Sequence, residues 1–294
     1  MPKARPVSLR LALVLAVVAQ LAVNAGSGFA VRAFELAGPA ALVALRNGLS
    51  ALVWLALARP RLRGLTGRAW AGAISYGLAL AVMNSFFYQG IELIPVGPAV
   101  TMEMLGPLTL SVVLARGWRA WLWAGLALVG VAMLSGFDFA GADRLGVGLI
   151  LAAGAAWAGY ILAARWVGRL FADSQGLAIG LMVAALASLP RGLPALASRP
   201  LSWQVLGWGA LVAATGTLIP YALEMVALRG LAAATFGVTT ALAPASAAVF
   251  GWLIAGQTLG WAAAGGVALV TAAAAGAALD ESRGRRPPKV GLRE

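Results

Sequence analysis

The 294 residues are 61% hydrophobic and 11% charged, with a mean hydropathy of +0.88 and a formal net charge of +12. A soluble domain carries about 25% charged residues, so this composition indicates an integral membrane protein whose excess positive charge faces anionic lipid rather than nucleic acid. Cysteine and histidine are absent, which excludes disulfides, cysteine nucleophiles and the commonest ligands of transition metals.

Ten apolar stretches are predicted to cross the membrane, each close to the ~20 residues that a helical span requires. In chain order they cover residues 10–31, 39–58, 69–91, 96–115, 120–137, 145–166, 176–194, 204–227, 231–254 and 260–279. The connections are short, so we expect one all-α bundle without a separate soluble domain. Most of the 37 glycines are interpreted as packing residues, and small residues four apart, such as Ala155 and Gly159, fit close helix crossings.

Lysine and arginine are distributed unevenly between the two sides that these ten spans define. One side receives 17 of the 22 and the other side receives 4, while Arg46 falls within a span. Short loops rich in these residues stay in the cytoplasm, so both termini, including a basic tail at 281–294, are predicted to be cytoplasmic. The first span follows Lys3 and Arg5 as a signal peptide would, but its apolar run continues to Val31, and we expect it to be retained.

The two halves of the chain, residues 1–140 and 141–280, are predicted to be inverted repeats of five helices. An odd number of spans places the second copy upside down in the membrane. Shifting one half by 137 residues aligns the Leu-Gly-Pro motif that ends at Pro107 with the Leu-Ala-Pro motif that ends at Pro244. The match is sparse, and it favours alternating access only in combination with the distribution of charge.

Prolines inside apolar stretches are predicted to interrupt three helices. Proline has no backbone N–H, so a carbonyl of the preceding turn loses its partner, which is tolerated where the bundle lines a cavity. Interrupted helices in matching positions of two halves point to the binding site of a transporter. We therefore predict that Pro107, Pro220 and Pro244 provide the breaks that gating requires.

Two ionisable residues stand out at membrane depth, Glu103 and Arg46. Each lies about seven residues into a span that begins on the outer side, or ~10 Å below its edge. Asn24 reaches about the same level from the inner side. A charge at this depth costs at least ~2.5 kcal/mol and indicates a functional site by default. Together they would suit the ammonium and carboxylate groups of a zwitterion; alternatively, Arg46 pairs with Glu103 or extends towards the outer surface.

The remaining candidates are less specific. Glu224 follows Pro220 and Tyr221 near the inner end of its span, and it is either a gating residue or an interfacial acid balanced by Arg229. Side chains that could line a cavity are Asn84, Tyr88, Trp157, Tyr160 and Tyr221. No clustered acids or nucleotide-binding loop are evident, so we expect no metal, no cofactor and no enzyme activity.

Two segments carry a family resemblance. Residues 84–108, NSFFYQGIELIPVGPAVTMEMLGPL, and residues 220–231, PYALEMVALRGL, resemble the helix 3–4 and helix 8–9 regions of bacterial threonine/homoserine exporters. These exporters are EamA-type members of the drug/metabolite transporter superfamily, and residues 44–46 are similar to their second helix. The resemblance implies ten helices in two inverted repeats and export of amino acids across the bacterial inner membrane. It carries over to Arg46, Glu103, Tyr221 and Glu224 by position.

Two positions depart from the family pattern and leave the substrate and the driving force open. Ala243 and Gln257 stand where the family often has acids, so those acids cannot couple or gate transport here. The expected substrates are threonine or homoserine, or other neutral or aromatic amino acids; the alternative is export of drug-like cations or other small metabolites. Small four-helix cation exporters use a glutamate in helix 1, where this chain has Gln20 and Asn24. The expected partners are the substrate and the bilayer, with no nucleic acid, and a monomer is compatible with the sequence.

Overall fold

The computed structural model describes residues 8–114, 118–133, 143–171, 174–198, 202–227, 242–258 and 260–284, and the secondary structure within these ranges is helical. The helices are α1 (Leu9–Ala58), α2 (Gly67–Leu93), α3 (Val96–Glu103), α4 (Leu105–Leu114), α5 (Trp118–Met133), α6 (Arg144–Leu170), α7 (Gln175–Ala197), α8 (Trp203–Ala213), α9 (Ile219–Ala227), α10 (Ala243–Ala255) and α11 (Trp261–Gly284). A five-residue π-helical turn, Ala214–Leu218, joins α8 to α9.

Several of these helices are suited to a membrane. Four of them, α1, α2, α6 and α7, and the continuous segment Trp203–Glu224 are long and apolar enough to cross a bilayer. Shorter apolar segments occur at Trp121–Gly130, Ala243–Ala255 and Trp261–Gly276. The prediction of an all-α membrane protein is confirmed for the described residues.

The long helix α1 is a hairpin of two arms. Gly38 has φ 74° and ψ 159°, which only glycine adopts readily, and Pro39 cannot donate the next helical hydrogen bond. A Cβ on Gly26 of the first arm would lie 3.0 Å from the Gly216 nitrogen, and Arg46 of the second arm donates to the Gly216 carbonyl. A straight helix would separate Gly26 from Arg46 by ~30 Å, so the chain reverses at Gly38.

The predicted span 96–115 is irregular at Met104, although the Met104 amide donates to the Val100 carbonyl and the Leu108 amide donates to the Met104 carbonyl, as in a helix. Helix α3 ends at Glu103 and α4 begins at Leu105, with Met104 between them. In a continuous α-helix the carbonyl of Glu103 would accept from the residue four positions on, but that residue is Pro107, which has no N–H. The irregularity therefore coincides with the carbonyl that Pro107 leaves without a helical donor.

Pro220 and Pro244 occupy different settings. Pro220 is the second residue of α9, directly after the π-helical turn, and the helical path continues through it. Pro244 lies in the first turn of α10, where proline is readily accommodated. The predicted break at Pro244 cannot be placed within a span, because residues 228–241, which precede α10, lie outside the described residues.

The closest helix crossings are made through glycines. Helix α2 packs mainly on α6 and α7, and a Cβ on Gly77 would lie 2.4 Å from the Gly180 carbonyl oxygen. Helix α4 approaches α6 still more closely, because a Cβ on Gly106 would lie 1.8 Å from the carbonyl oxygen of Gly154. The close crossing expected at Gly159 is not found among the described residues, none of which lies within 4 Å of its Cβ position.

Candidate functional site

Arg46 lies at the centre of the candidate site and is 7% exposed. Its three side-chain nitrogens each donate one hydrogen bond: Nε to Thr217 Oγ1 at 2.9 Å, Nη1 to the Tyr88 hydroxyl at 3.0 Å and Nη2 to the Gly216 carbonyl at 2.8 Å. The Tyr88 ring is fully buried, with its centroid 5.4 Å from the guanidinium carbon. All three acceptors are neutral, so they hold the guanidinium without cancelling its charge.

Proline explains why the Gly216 carbonyl is free to accept. In an α-helix this carbonyl would receive the N–H of residue 220, but that residue is Pro220. The local turn is π-helical, and the Ile219 amide donates to the Ala214 carbonyl instead. Gly216 has no side chain to cover its carbonyl, and a Cβ there would lie 3.2 Å from Arg46 Nε. Pro220 and Gly216 together create an acceptor inside the bundle that an arginine can use.

Glu103 is the last residue of α3 and is 8% exposed. Among the described residues its carboxyl group has no hydrogen-bond or salt-bridge partner, while the charge of Arg46 acts on it electrostatically. Arg46 and Glu103 therefore do not form a direct ion pair in this structure, because the hydrogen bonds of Arg46 go to neutral oxygens. Glu103 is positioned by its backbone, since a Cβ on Gly154 of α6 would lie 2.6 Å from its carbonyl oxygen.

A chain of buried amides lies next to Arg46 in sequence. Asn84 donates to the Asn47 side-chain oxygen at 3.1 Å, and Asn47 donates to the Ser188 hydroxyl at 2.8 Å. These bonds link α2, the second arm of α1 and α7. Asn84 was a predicted site residue, but here it is part of a helix-to-helix network. Sequence reasoning missed Asn47 and Ser188, although an amide directly after the in-span Arg46 was a usable signal.

Asn24 and Trp157 have other recorded partners than Arg46. Asn24 is 2% exposed and its amide donates to the Ser246 hydroxyl at 2.8 Å and to the Gln20 carbonyl at 3.0 Å. It therefore joins the first arm of α1 to α10. Trp157 is half-buried and packs against the main apolar core. Among the described residues, neither side chain shares a hydrogen bond with Arg46 or Glu103.

Tyrosines from three helices form a second polar group. The hydroxyls of Tyr76 on α2 and Tyr160 on α6 are 3.2 Å apart, and their ring centroids are 5.0 Å apart. Tyr221 on α9 interacts with the Tyr160 hydroxyl and with the charge of Arg46. Glu224, one turn further along α9, acts electrostatically on all three tyrosines. The fold thus brings Tyr160, Tyr221 and Glu224 together and adds Tyr76, which sequence reasoning missed.

A cavity of about 550 Å³ lies elsewhere, between the first arm of α1 and the end of α2. Its lining residues are Val31, Phe34, Glu35, Ile91, Glu92, Leu93, Ile94, Pro95 and Gln257. Gln257 accepts from the Val96 amide at 2.9 Å and so caps α3. The cavity contains none of the predicted site residues. No group of three acids that could hold a metal occurs in the part of the chain that the structure describes.

The chemistry available at this site is recognition of charge. A buried guanidinium with neutral partners can bind a carboxylate, and a buried carboxyl group near it can bind an ammonium group. A dipolar small molecule would satisfy both without leaving a net charge in the bundle.

Comparison with known proteins adds independent information. Residues 144–279 match the model of the EamA-like transporter family. The chain is 35% identical over 251 residues to the threonine/homoserine exporter RhtA of Escherichia coli (strain K12) and 34% identical to RhtA of Salmonella typhimurium (strain SL1344), covering 85% of this chain and of each relative. A solved crystal structure, 24% identical, superposes with a TM-score of 0.61 over 94% of this chain and 100% of that chain, which supports the fold alone.

Proposed function

The chain belongs to the EamA-like transporter family of the drug/metabolite transporter superfamily, and from this premise we propose that it exports amino acids from the bacterial cytoplasm. The proposed substrates are threonine and homoserine, or other neutral or aromatic amino acids. The protein is a multi-pass membrane transporter and not an enzyme. Its similarity to the RhtA exporters supports the substrate class, and the proposed location is the inner membrane.

The environment of Arg46 is the observation that carries this proposal. Three neutral oxygens orient its guanidinium, and no described residue forms a salt bridge with it. Such a group binds a carboxylate strongly at membrane depth. Glu103, which feels the charge of Arg46 and has no hydrogen bond among the described residues, is proposed to receive the ammonium group of the same substrate. The remaining proposed binding residues are Asn24, Asn84, Tyr88, Trp157, Tyr160 and Tyr221.

The proposed transport cycle is alternating access by two inverted five-helix repeats. The 17-to-4 distribution of Lys and Arg supports ten spans with both termini in the cytoplasm. Pro107 and Pro220 lie beside carbonyls that lack their usual helical donors, and changes of helix direction at such points would open the site to one side at a time. Pro244 and Glu224 are proposed to take part in the same movements.

Proteoliposomes containing the purified protein would test the proposal. We expect uptake of labelled threonine, methionine or phenylalanine above that of empty liposomes, with competition among the substrates. Glu103→Gln and Arg46→Gln should each lower the transport rate at least ~100-fold, because each leaves one charge of the substrate unpaired. The matched control is Asp143→Asn, which makes the same acid-to-amide change at an exposed helix cap that tolerates either residue.

The outcomes separate clearly. Transport of none of the three substrates by folded wild-type protein would reject amino-acid export and favour cations or other metabolites. Wild-type transport that persists in Glu103→Gln would remove Glu103 from the site while leaving the substrate class intact. Loss of transport in the Asp143→Asn control would mean that the losses in Glu103→Gln and Arg46→Gln are not specific to the site.

A further inference from the structure

Two rows of polar side chains run in register from Arg46 towards one end of the bundle. On the second arm of α1, Ser50 and Trp54 follow Arg46 at intervals of four residues, which places all three on one face. On the facing segment, Tyr221 and Glu224 follow Thr217. The first row consists of Arg46, Ser50 and Trp54, and the second row consists of Thr217, Tyr221 and Glu224.

The two rows lie on segments that pack together. They begin at the hydrogen bond between Arg46 and Thr217. Both segments run in the same direction, α1 packs against α9, and Trp54 and Tyr221 belong to one apolar cluster. Eight residues of helix separate Arg46 from Trp54, so the rows extend about 12 Å. Their far end lies near Arg59, at the side that the charge distribution assigns to the cytoplasm.

The first row contains buried polar atoms without partners. The Ser50 hydroxyl and the Trp54 indole nitrogen are both buried, and neither has a hydrogen-bond partner among the described residues. Serine in a helix usually donates to the carbonyl four residues earlier, but Ser50 does not. Burying an unpaired polar group costs free energy, and such groups in a native protein call for an explanation. Two of them on one face, one helical turn apart, point to a ligand.

The second row supplies the opposite chemistry. Glu224 is half-buried and has no hydrogen bond among the described residues, and its charge acts on Tyr76, Tyr160 and Tyr221. A carboxylate together with aromatic faces recognises an ammonium group. The hydroxyl of Ser50 and the indole N–H of Trp54 can each donate a hydrogen bond to a carboxylate. The two rows therefore present matching chemistry to the two ends of a zwitterion.

We propose that these rows form a second amino-acid site, an inner access site, through which the substrate reaches Arg46 from the cytoplasm. The inference rests on the proposed function. The carboxylate of a free amino acid contacts Trp54 and Ser50 before it reaches Arg46, and the ammonium group contacts Glu224 and the tyrosines.

The test uses everted membrane vesicles, whose cytoplasmic face is outward, and labelled threonine. For Glu224→Gln and Trp54→Phe we expect the half-saturating concentration at the cytoplasmic face to rise roughly tenfold, the effect of one hydrogen bond to a charged group. Right-side-out vesicles should show an unchanged half-saturating concentration in counterflow. Matched controls are Asp143→Asn and Trp203→Phe, whose indole is 88% exposed.

Ser50→Ala separates an access role from a purely structural one. Removing an unpaired buried hydroxyl should leave the melting temperature unchanged or raise it, while the cytoplasmic half-saturating concentration rises. This variant also decides the matter if Glu224→Gln does not fold. A wild-type protein that transports none of the amino acids would reject both this site and the proposed function. A wild type that transports, with Ser50→Ala and Trp54→Phe showing wild-type half-saturation, would reject the inner access site alone.

Discussion

The contact between Gly106 and Gly154 allows a prediction whose magnitude follows from the structure. A Cβ added at Gly106 would lie 1.8 Å from the Gly154 carbonyl oxygen and 2.3 Å from its carbon. Because these are backbone atoms, α4 and α6 must separate by more than ~1 Å, and overpacking of this kind costs about 1–3 kcal/mol. Alanine regains about 0.5–1 kcal/mol in a helix. Gly106→Ala should therefore lose about 1 kcal/mol of stability.

Gly159→Ala is the matched control because it makes the same change on α6 where nothing lies within 4 Å. It should be neutral or gain about 0.5–1 kcal/mol. Thermal unfolding of the detergent-solubilised protein, followed by size-exclusion chromatography, would measure both variants. We expect Gly106→Ala to melt about 2–4 °C below the wild type. A Gly106→Ala protein as stable as Gly159→Ala would refute the close approach of α4 to α6.

The same crossing should affect the site itself. A Cβ on Gly154 would lie 2.6 Å from the Glu103 carbonyl oxygen, so Gly154→Ala must displace the residue proposed to bind the substrate ammonium. Its transport rate should fall even at temperatures where the protein remains folded, because misplacing a binding group by about 1 Å costs roughly 100-fold. Wild-type transport by a folded Gly154→Ala protein would show that α3 can shift without consequence.

Two further substitutions test individual hydrogen bonds. Tyr88→Phe keeps the buried ring but removes the acceptor of Arg46 Nη1, so threonine affinity or stability should fall by about 1.5–3 kcal/mol; equilibrium binding and melting curves that match the wild type would show that this bond contributes nothing. Gln257→Ala removes the acceptor of the Val96 amide and should cost about 0.5–2 kcal/mol, as loss of a helix cap does. Hydrogen exchange at the start of α3 should then accelerate, and unchanged exchange would mean that another group caps this helix.

The two buried charges are predictable from sequence, but their partners are not. Arg46 and Glu103 stand out because ionisable residues are costly at membrane depth. Thr217 and Gly216 resemble ordinary packing residues, and they become partners of Arg46 only because the hairpin at Gly38 brings distant segments together. A signal for Gly216 did exist, since Pro220 leaves the carbonyl four residues earlier without a donor.

Glycine illustrates a different limit. Ala155 and Gly159 have the four-residue spacing of small residues that predicts close packing. A Cβ on Gly154 would meet the backbone of Glu103, however, whereas a Cβ on Gly159 would meet no described atom within 4 Å. Helical periodicity defines a face, but it does not say whether that face meets another helix or lipid. The Asn84–Asn47–Ser188 network is non-local for the same reason, because its three residues lie on three helices whose pairing depends on tertiary structure.

Proline connects the fold to both charges by one physical rule. Pro220 deprives the Gly216 carbonyl of its helical donor, and the Arg46 guanidinium takes that place. Pro107 deprives the Glu103 carbonyl of its donor, and this carbonyl, at the end of α3, lies against Gly154. A backbone carbonyl without a helical donor is costly in an apolar bundle. One of these two carbonyls, that of Gly216, accepts from Arg46, and the other belongs to Glu103 itself. Binding of a zwitterion to Arg46 and Glu103 would therefore act at two points where a helix lacks one of its own backbone hydrogen bonds. A change of helix direction costs less free energy at such points, because no helical hydrogen bond has to be broken there.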